Sequence, residues 1–151
     1  MGRSEFRHSA TFRLAIKACV PEKHGMNIAE LNHVAIHVED VERTHDFYSR
    51  VLRLEPLPRP AFDFPGAWFR LGSQQELHII GDRNAPVHSH NRGTHFALLV
   101  DDIEAWEKHL TEVGADFNPK KSRPDGAWQI FIIDPDGHYI ELCSKTGMAE
   151  M

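Results

Sequence analysis

An α+β fold made of two copies of a βαβββ module is predicted by three features of this chain. They are an internal repeat, apolar periods that change from strand-like to helical within each copy, and a strong turn near the end of the second copy. His33-Val-Ala-Ile-His-Val-Glu-Asp-Val-Glu lies over His95-Phe-Ala-Leu-Leu-Val-Asp-Asp-Ile-Glu, 62 residues on. Gly66-Ala-Trp68 lies over Gly126-Ala-Trp128, 60 residues on, and Leu77-His-Ile-Ile80 over Ile140-Glu-Leu-Cys143, 63 residues on. Offsets that drift by so little mark a duplication, with modules at 28–81 and 94–146 inside one domain spanning 26–146.

Each copy begins with an alternating strand, about 31–38 and 94–100. An acidic turn follows, Glu39-Asp40 or Asp101-Asp102, and complements the dipole of an amphipathic helix at about 41–52 or 103–114. Gly114 stops the second helix. Strands at about 67–71 and 76–81 complete the first copy, and strands at 127–133 and 138–143 the second, with a further short strand before each pair. Asp134-Pro-Asp-Gly137 joins the last two strands as a hairpin turn, Pro fixing φ and Gly relaxing it. Residues 82–93, polar and interrupted by Pro86, form the linker.

Composition excludes several classes. The 151 residues are 41% hydrophobic and 26% charged, enough for one ordinary core. The formal charge of −5 is interspersed, without a basic stripe, so nucleic acid is not an expected partner. No apolar run reaches membrane-spanning length, so no membrane is expected either. Cys19 and Cys143 are far apart and form no CxxC pair, which points to a reducing, cytoplasmic setting. Residues 1–25 carry five bases against two acids and read as an extension or tag, and residues 147–151 as a tail.

Period-two alternation assigns faces. Val34, Ile36 and Val38 turn toward the first helix, leaving Leu31, His33, Ala35 and His37 on the open face. In the second copy Phe96, Leu98 and Val100 turn inward, leaving His95, Ala97 and Leu99 open. Leu77 and Ile79 pack and expose His78, and Ile140 and Leu142 pack and expose Glu141. Four polar residues at matching places, His33, His78, His95 and Glu141, are therefore candidate ligands for a borderline divalent ion, and zinc, nickel, cobalt, manganese and iron all suit three imidazoles and a carboxylate. His37 shares the open face as a candidate base alongside Glu141. Trp68 and Arg70 alternate with Phe69 and Leu71 and are candidate cavity-lining residues, Arg70 as a clamp for an anion. Arg123, which precedes a Pro-Asp-Gly loop, is a further candidate substrate-binding residue. His88 and His90 belong to the linker, His45 and His109 read as helix-surface residues, Tyr48 as core, and Cys143 as a small thiol near the metal.

Leu31-Asn-His33, Asp46-Phe-Tyr48, Thr94-His95-Phe and Asp134-Pro-Asp-Gly-His-Tyr-Ile-Glu141 resemble the fingerprints of the vicinal oxygen chelate superfamily, over roughly residues 28–146. That group includes glyoxalase I, fosfomycin-resistance thiol transferases, extradiol dioxygenases and bleomycin-binding proteins. The resemblance implies paired modules forming a U-shaped sheet around one divalent metal, which chelates adjacent substrate oxygens. His33 and His95 match the ligands of the two first strands and Glu141 the carboxylate of the last. His78 stands where glyoxalase I has Glu or Gln, and Ala35 where fosfomycin enzymes have Thr.

The expected activity is that of a glyoxalase-like isomerase or lyase of the lactoylglutathione lyase type. Its substrate would be a small α-hydroxy or α-oxo carbonyl compound, with glutathione or another thiol as a cosubstrate. The alternatives are a fosfomycin-type thiol transferase or hydrolase, an extradiol dioxygenase, and a non-catalytic drug- or metabolite-binding protein. Modules of this kind pair within a chain or by exchange between two chains, and a homodimer is expected.

Overall fold

The computed structural model describes residues 25–145; the expected extension, up to residue 24, and the expected tail lie outside the described residues. The chain divides after Glu30 into two compact units, and the second, from Leu31 onward, carries every helix and strand among the described residues. In it, β1 (His33–His37), α1 (Val41–Arg50), β2 (Pro56–Leu57), β3 (Gly66–Leu71) and β4 (Gln75–Ile80) make the first module. The second comprises β5 (Phe96–Leu99), α2 (Ile103–Glu112), β6 (Phe117–Ser122), β7 (Trp128–Ile133) and β8 (Tyr139–Cys143). The expected paired βαβββ modules are present, including the short strand before each hairpin. No helix among the described residues is long and apolar enough to cross a membrane.

Each module folds into a four-stranded sheet with the same order, β1-β4-β3-β2 and β5-β8-β7-β6. The crossover through the helix makes β1·β4 and β5·β8 parallel, while the hairpins make the other pairs antiparallel. Both helices start alike. The Asp40 carboxylate accepts the Arg43 N–H at 3.0 Å and that of Asp102 the Ala105 N–H at 2.9 Å, each satisfying an orphan donor of the first turn. The α2 helix stops before Gly114, whose φ of 66° only glycine adopts without strain.

The alternation then buries one face of each sheet. Ile36, Val38, Tyr48, Phe69, Leu77 and Ile79 of the first module join Val100, Leu110, Ile130, Ile132, Ile140 and Leu142 of the second in one apolar cluster. Each such side chain contributes roughly 1.5–3 kcal/mol by burial.

A polar clasp also joins the modules. In the Asp134–Gly137 turn, the Asp136 carboxylate is fully buried and accepts from the Glu39 N–H at 2.8 Å, Arg83 at 2.9 Å, Thr44 at 3.1 Å and Arg43 at 3.3 Å. Burial opposes its charge, but these donors outweigh burial and hold its pKa below the ordinary carboxylate value. Two residues earlier, Asp134 accepts from the Tyr48 hydroxyl at 3.0 Å; burial dominates there and raises its pKa, and burial together with Asp134 raises that of Tyr48. His138 adds a bond from Nε2 to the His37 carbonyl at 3.0 Å. His109, read from sequence as a surface residue, instead bonds the Val51 carbonyl at 2.9 Å from half-buried surroundings and ties α2 to the end of α1.

Candidate metal centre

Register explains how each module presents a pair of donors. In the first sheet Ala35 is the cross-strand partner of His78, and in the second Ala97 is the partner of Glu141. A methyl beside each ligand leaves space for the histidine two residues earlier to lean across. His33 thus stacks on His78 with ring centroids 4.3 Å apart, and His95 Nε2 lies 3.2 Å from Glu141 Oε2. The duplication is preserved down to these diagonal contacts.

Each imidazole has one nitrogen engaged by an oxygen acceptor. His33 Nδ1 meets Asn32 Oδ1 at 2.8 Å, His78 Nε2 meets Glu76 Oε2 at 2.8 Å, and His95 Nδ1 meets the Gly93 carbonyl at 3.1 Å. This is the oxygen–histidine arrangement that sets the tautomer of a metal-binding imidazole and leaves the other nitrogen a lone pair. His95 is the most telling. Its Nδ1 donates to a carbonyl that can only accept, so a neutral ring turns a bare Nε2 toward the Glu141 carboxylate. Two acceptors at 3.2 Å call for a cation or a proton between them. Glu141 is buried, at 5% exposure, which makes an uncompensated charge there costly.

The residues present therefore fit a divalent ion, but the four candidate ligands form two pairs. Among the described residues no three His, Cys, Asp or Glu side chains are grouped to hold a metal. His33 and His78 make one half-site, His95 and Glu141 the other.

Around the first half-site, Trp68 stacks on His78 at 4.1 Å with a 7° interplanar angle, so three rings lie in a pile. Phe62 adjoins Trp68 at 6.0 Å, and the Arg59 guanidinium lies over Phe62 and Phe64. Arg70 pairs with Glu55 at 3.1 Å on the exposed surface. Around the second, Arg123 Nη1 lies 3.4 Å from Glu141 Oε1 and 3.5 Å from Cys143 Sγ, while its Nη2 holds Asp125 at 2.8 Å. Asp125 is the largest influence raising the Arg123 pKa, followed by Cys143 and Glu141. Burial and the Glu141 carboxylate raise that of the Cys143 thiol, which stays protonated and a poor nucleophile. His37 joins neither pair; its Nε2 bonds the Gly81 carbonyl at 2.7 Å, and its ring lines a cavity of about 300 Å³ with Arg83, His88 and His138.

Reasoning from the sequence missed Asn32 and Glu76, which orient His33 and His78. Glu76 could have been found by strand spacing, since it precedes His78 by two residues and so shares its face.

Comparisons with known proteins follow the same lines. The chain is 28% identical over 127 residues to Glyoxylase I 4 of Arabidopsis thaliana, covering 79% of this chain and 72% of that one. It is 32% identical over 125 residues to lactoylglutathione lyase of Escherichia coli O157:H7 (76% and 92%), and 26% identical over 120 residues to metallothiol transferase FosB of Bacillus licheniformis (76% and 75%). Among solved structures, a glyoxalase family protein from Bacillus anthracis superposes with a TM-score of 0.69 at 26% identity, covering 80% of this chain and 98% of that one. At 18% identity, and so for fold alone, a mutant of the fosfomycin resistance protein FosX from Listeria monocytogenes, solved with Mn(II) and a dihydroxypropylphosphonic acid, superposes at 0.67 (83% and 98%). With residues 30–142 matched by the family model and the repeated modules in place, this chain belongs to the Glyoxalase/Bleomycin resistance protein/Dioxygenase superfamily.

Proposed function

We propose that this protein is a divalent-metal-dependent enzyme of the glyoxalase type, an isomerase or lyase acting on a small α-hydroxy or α-oxo carbonyl compound, with glutathione or another thiol as a cosubstrate. The carrying observation is His95 Nε2 at 3.2 Å from the buried Glu141 carboxylate, with His33 and His78 brought together at the matching places of the first module. His33, His78, His95 and Glu141 would hold the ion, and zinc, nickel, cobalt, manganese and iron all suit that donor set. A bound divalent ion supplies Lewis-acid polarisation of a substrate oxygen, worth several kcal/mol to a developing oxyanion.

The chain's own groups do the rest. Glu141 is the one carboxylate of the set and the residue to receive a proton at Oε1 or Oε2, with Arg123 Nη1 at 3.4 Å from Oε1. Trp68, stacked behind His78, fixes that ring and offers an apolar wall to substrate. Arg123 and Arg70 are the cations nearest the two half-sites, and each would have to exchange a carboxylate partner, Asp125 or Glu55, to hold an anionic substrate. His37, which lines its own cavity, is the other candidate proton carrier.

The half-sites are completed by a second copy. His33 and His78 of one chain would meet His95 and Glu141 of the other. Support comes from the separation of the pairs within one chain and from Leu31 and Leu99, large apolar residues 63% and 65% exposed on the open face. Elemental analysis of the protein after incubation with divalent ions tests the metal; a stoichiometric divalent ion is expected, and protein that takes up none overturns the reading. Mixing His33→Ala chains with Glu141→Ala chains tests the exchange. Heterodimers regain one intact site, whereas pairing within each chain restores none. A drug-sequestering role is the second reading, favoured by exposed Phe62 beside Trp68; it predicts ligand binding by metal-free protein.

A further inference from the structure

The open face of the second module carries a cavity that the metal reading does not use. Strand β6, at the sheet edge, pairs Asn118 with Phe131 and Lys121 with Gln129, so two residues of β6, Pro119 and Lys120, oppose the single residue Ile130. This extra residue is a bulge, and Pro119 sits in it without costing a ladder bond. Its consequence is a change of side. In a regular strand Asn118 and Lys121, three apart, point to opposite faces; with the bulge both join Phe131 and Gln129 on the face that bears Glu141 and Cys143. Lys120 goes the other way, to Glu104 and Glu107 of α2 and over Trp128.

Linker residues close the space. Asn91, Arg92, Asn118, Lys121, Gln129 and Phe131 line a cavity of about 270 Å³. Among the described residues the side chains of Arg92, Asn118, Lys121 and Gln129 have no polar partner, whereas Lys120 is fully engaged. Asn91 Oδ1 is buried and unpaired as well. Two uncommitted cations, two free amides and a buried acceptor converge on one space suited to an anion, and a buried polar atom left unpaired is destabilising unless something fills it.

We propose that this cavity binds an anionic group, a carboxylate or a phosphate, that carries a neighbouring hydroxyl or N–H donor. Arg92, Lys121 and the amides of Asn118 and Gln129 face the charge, and Asn91 Oδ1 accepts from the neighbouring donor. Phe131, whose ring meets His95 edge-on at 5.3 Å, forms the wall shared with the second half-site. Asn118, Phe131 and Glu141 are consecutive cross-strand neighbours, so the cavity lies two strand spacings, on the order of 10 Å, from Glu141. A substrate spanning both is elongated, with its anionic end remote from the oxygens at the metal. That last step rests on the metal site proposed above; binding of the anion does not.

Titration of the full-length protein with lactate, acetate and inorganic phosphate at fixed ionic strength, followed through the side-chain amide NMR signals of Asn91, Asn118 and Gln129, tests the site. Saturable shifts of these three signals are expected, with the tighter of lactate and phosphate naming the anion. The Arg92→Ala/Lys121→Ala double variant should bind about 10-fold more weakly, while Lys108→Ala, which removes a charge on α2, leaves affinity unchanged. Asn91→Ala should weaken lactate more than acetate, which lacks the hydroxyl. Unmoved amide signals, or equal weakening by Lys108→Ala, overturn the site, and equal losses for lactate and acetate overturn the role of Asn91. Metal content measured on the same samples separates the two readings. Metal without anion binding refutes this cavity alone, and anion binding without metal refutes only the metal centre.

Discussion

The two modules share strand order, register and even the alanine beside each ligand, yet their open faces differ in charge. The first offers two imidazoles in a pile with Trp68; the second offers an imidazole and a buried carboxylate flanked by Arg123. Under the proposed metal reading, the imidazoles would locate an ion, whereas the carboxylate would both neutralise its charge and exchange protons. One backbone would then supply two unlike half-sites, and the division of labour would rest on the side chains at 78 and 141.

The strongest way to break this asymmetry is Glu141→Ala. Loss of the bound metal and a fall of roughly 10²–10⁴-fold in turnover are expected, read by elemental analysis and kinetics. His78→Ala should lower metal affinity yet, in metal-saturated protein, cost much less turnover; equal losses at both positions would erase the distinction. The clasp comes next. Asp136→Ala removes the nearer carboxylate partner of Arg83, which is 17% exposed, leaving it only Glu39 at 3.8 Å, and should destabilise the fold by about 3 kcal/mol in denaturant titration. The same residue fixes the sign of a pH effect. Because the folded pKa of Asp136 is lowered, its stabilisation is present above the ordinary carboxylate pKa and is lost as pH falls through the folded value. Asp136→Asn should therefore flatten the acid limb of the stability curve. The smallest expected effect is that of Glu76→Gln, which weakens the acceptor behind His78 and should lower metal affinity about 10-fold without moving the melting temperature.

Much of the fold was legible because it is written in local periods. Alternation placed His33, His78, His95 and Glu141 on open faces, and the Asp-Pro-Asp-Gly turn marked the last hairpin. Other features depend on partners far along the chain. Asp134 and Asp136 read as turn formers, but their carboxylates serve Tyr48 and Thr44, 86 and 92 residues away, and no spacing rule exposes such contacts. His109 read as a surface residue for the same reason. The division of the four candidate ligands into two pairs was equally hidden, since alternation gives the side of a strand and not which sheets face each other. The bulge in β6 defeats alternation outright, for one extra residue reverses the side on which Lys121 emerges.

The alanines at 35 and 97 carry an evolutionary consequence. Because each leaves the adjoining donor unencumbered, a single residue replacement at 78 or 141 can swap imidazole for carboxylate with the peptide framework undisturbed. If these positions hold an ion as proposed, a lineage built on this plan can retune the charge around it in steps small enough for selection to sample one at a time.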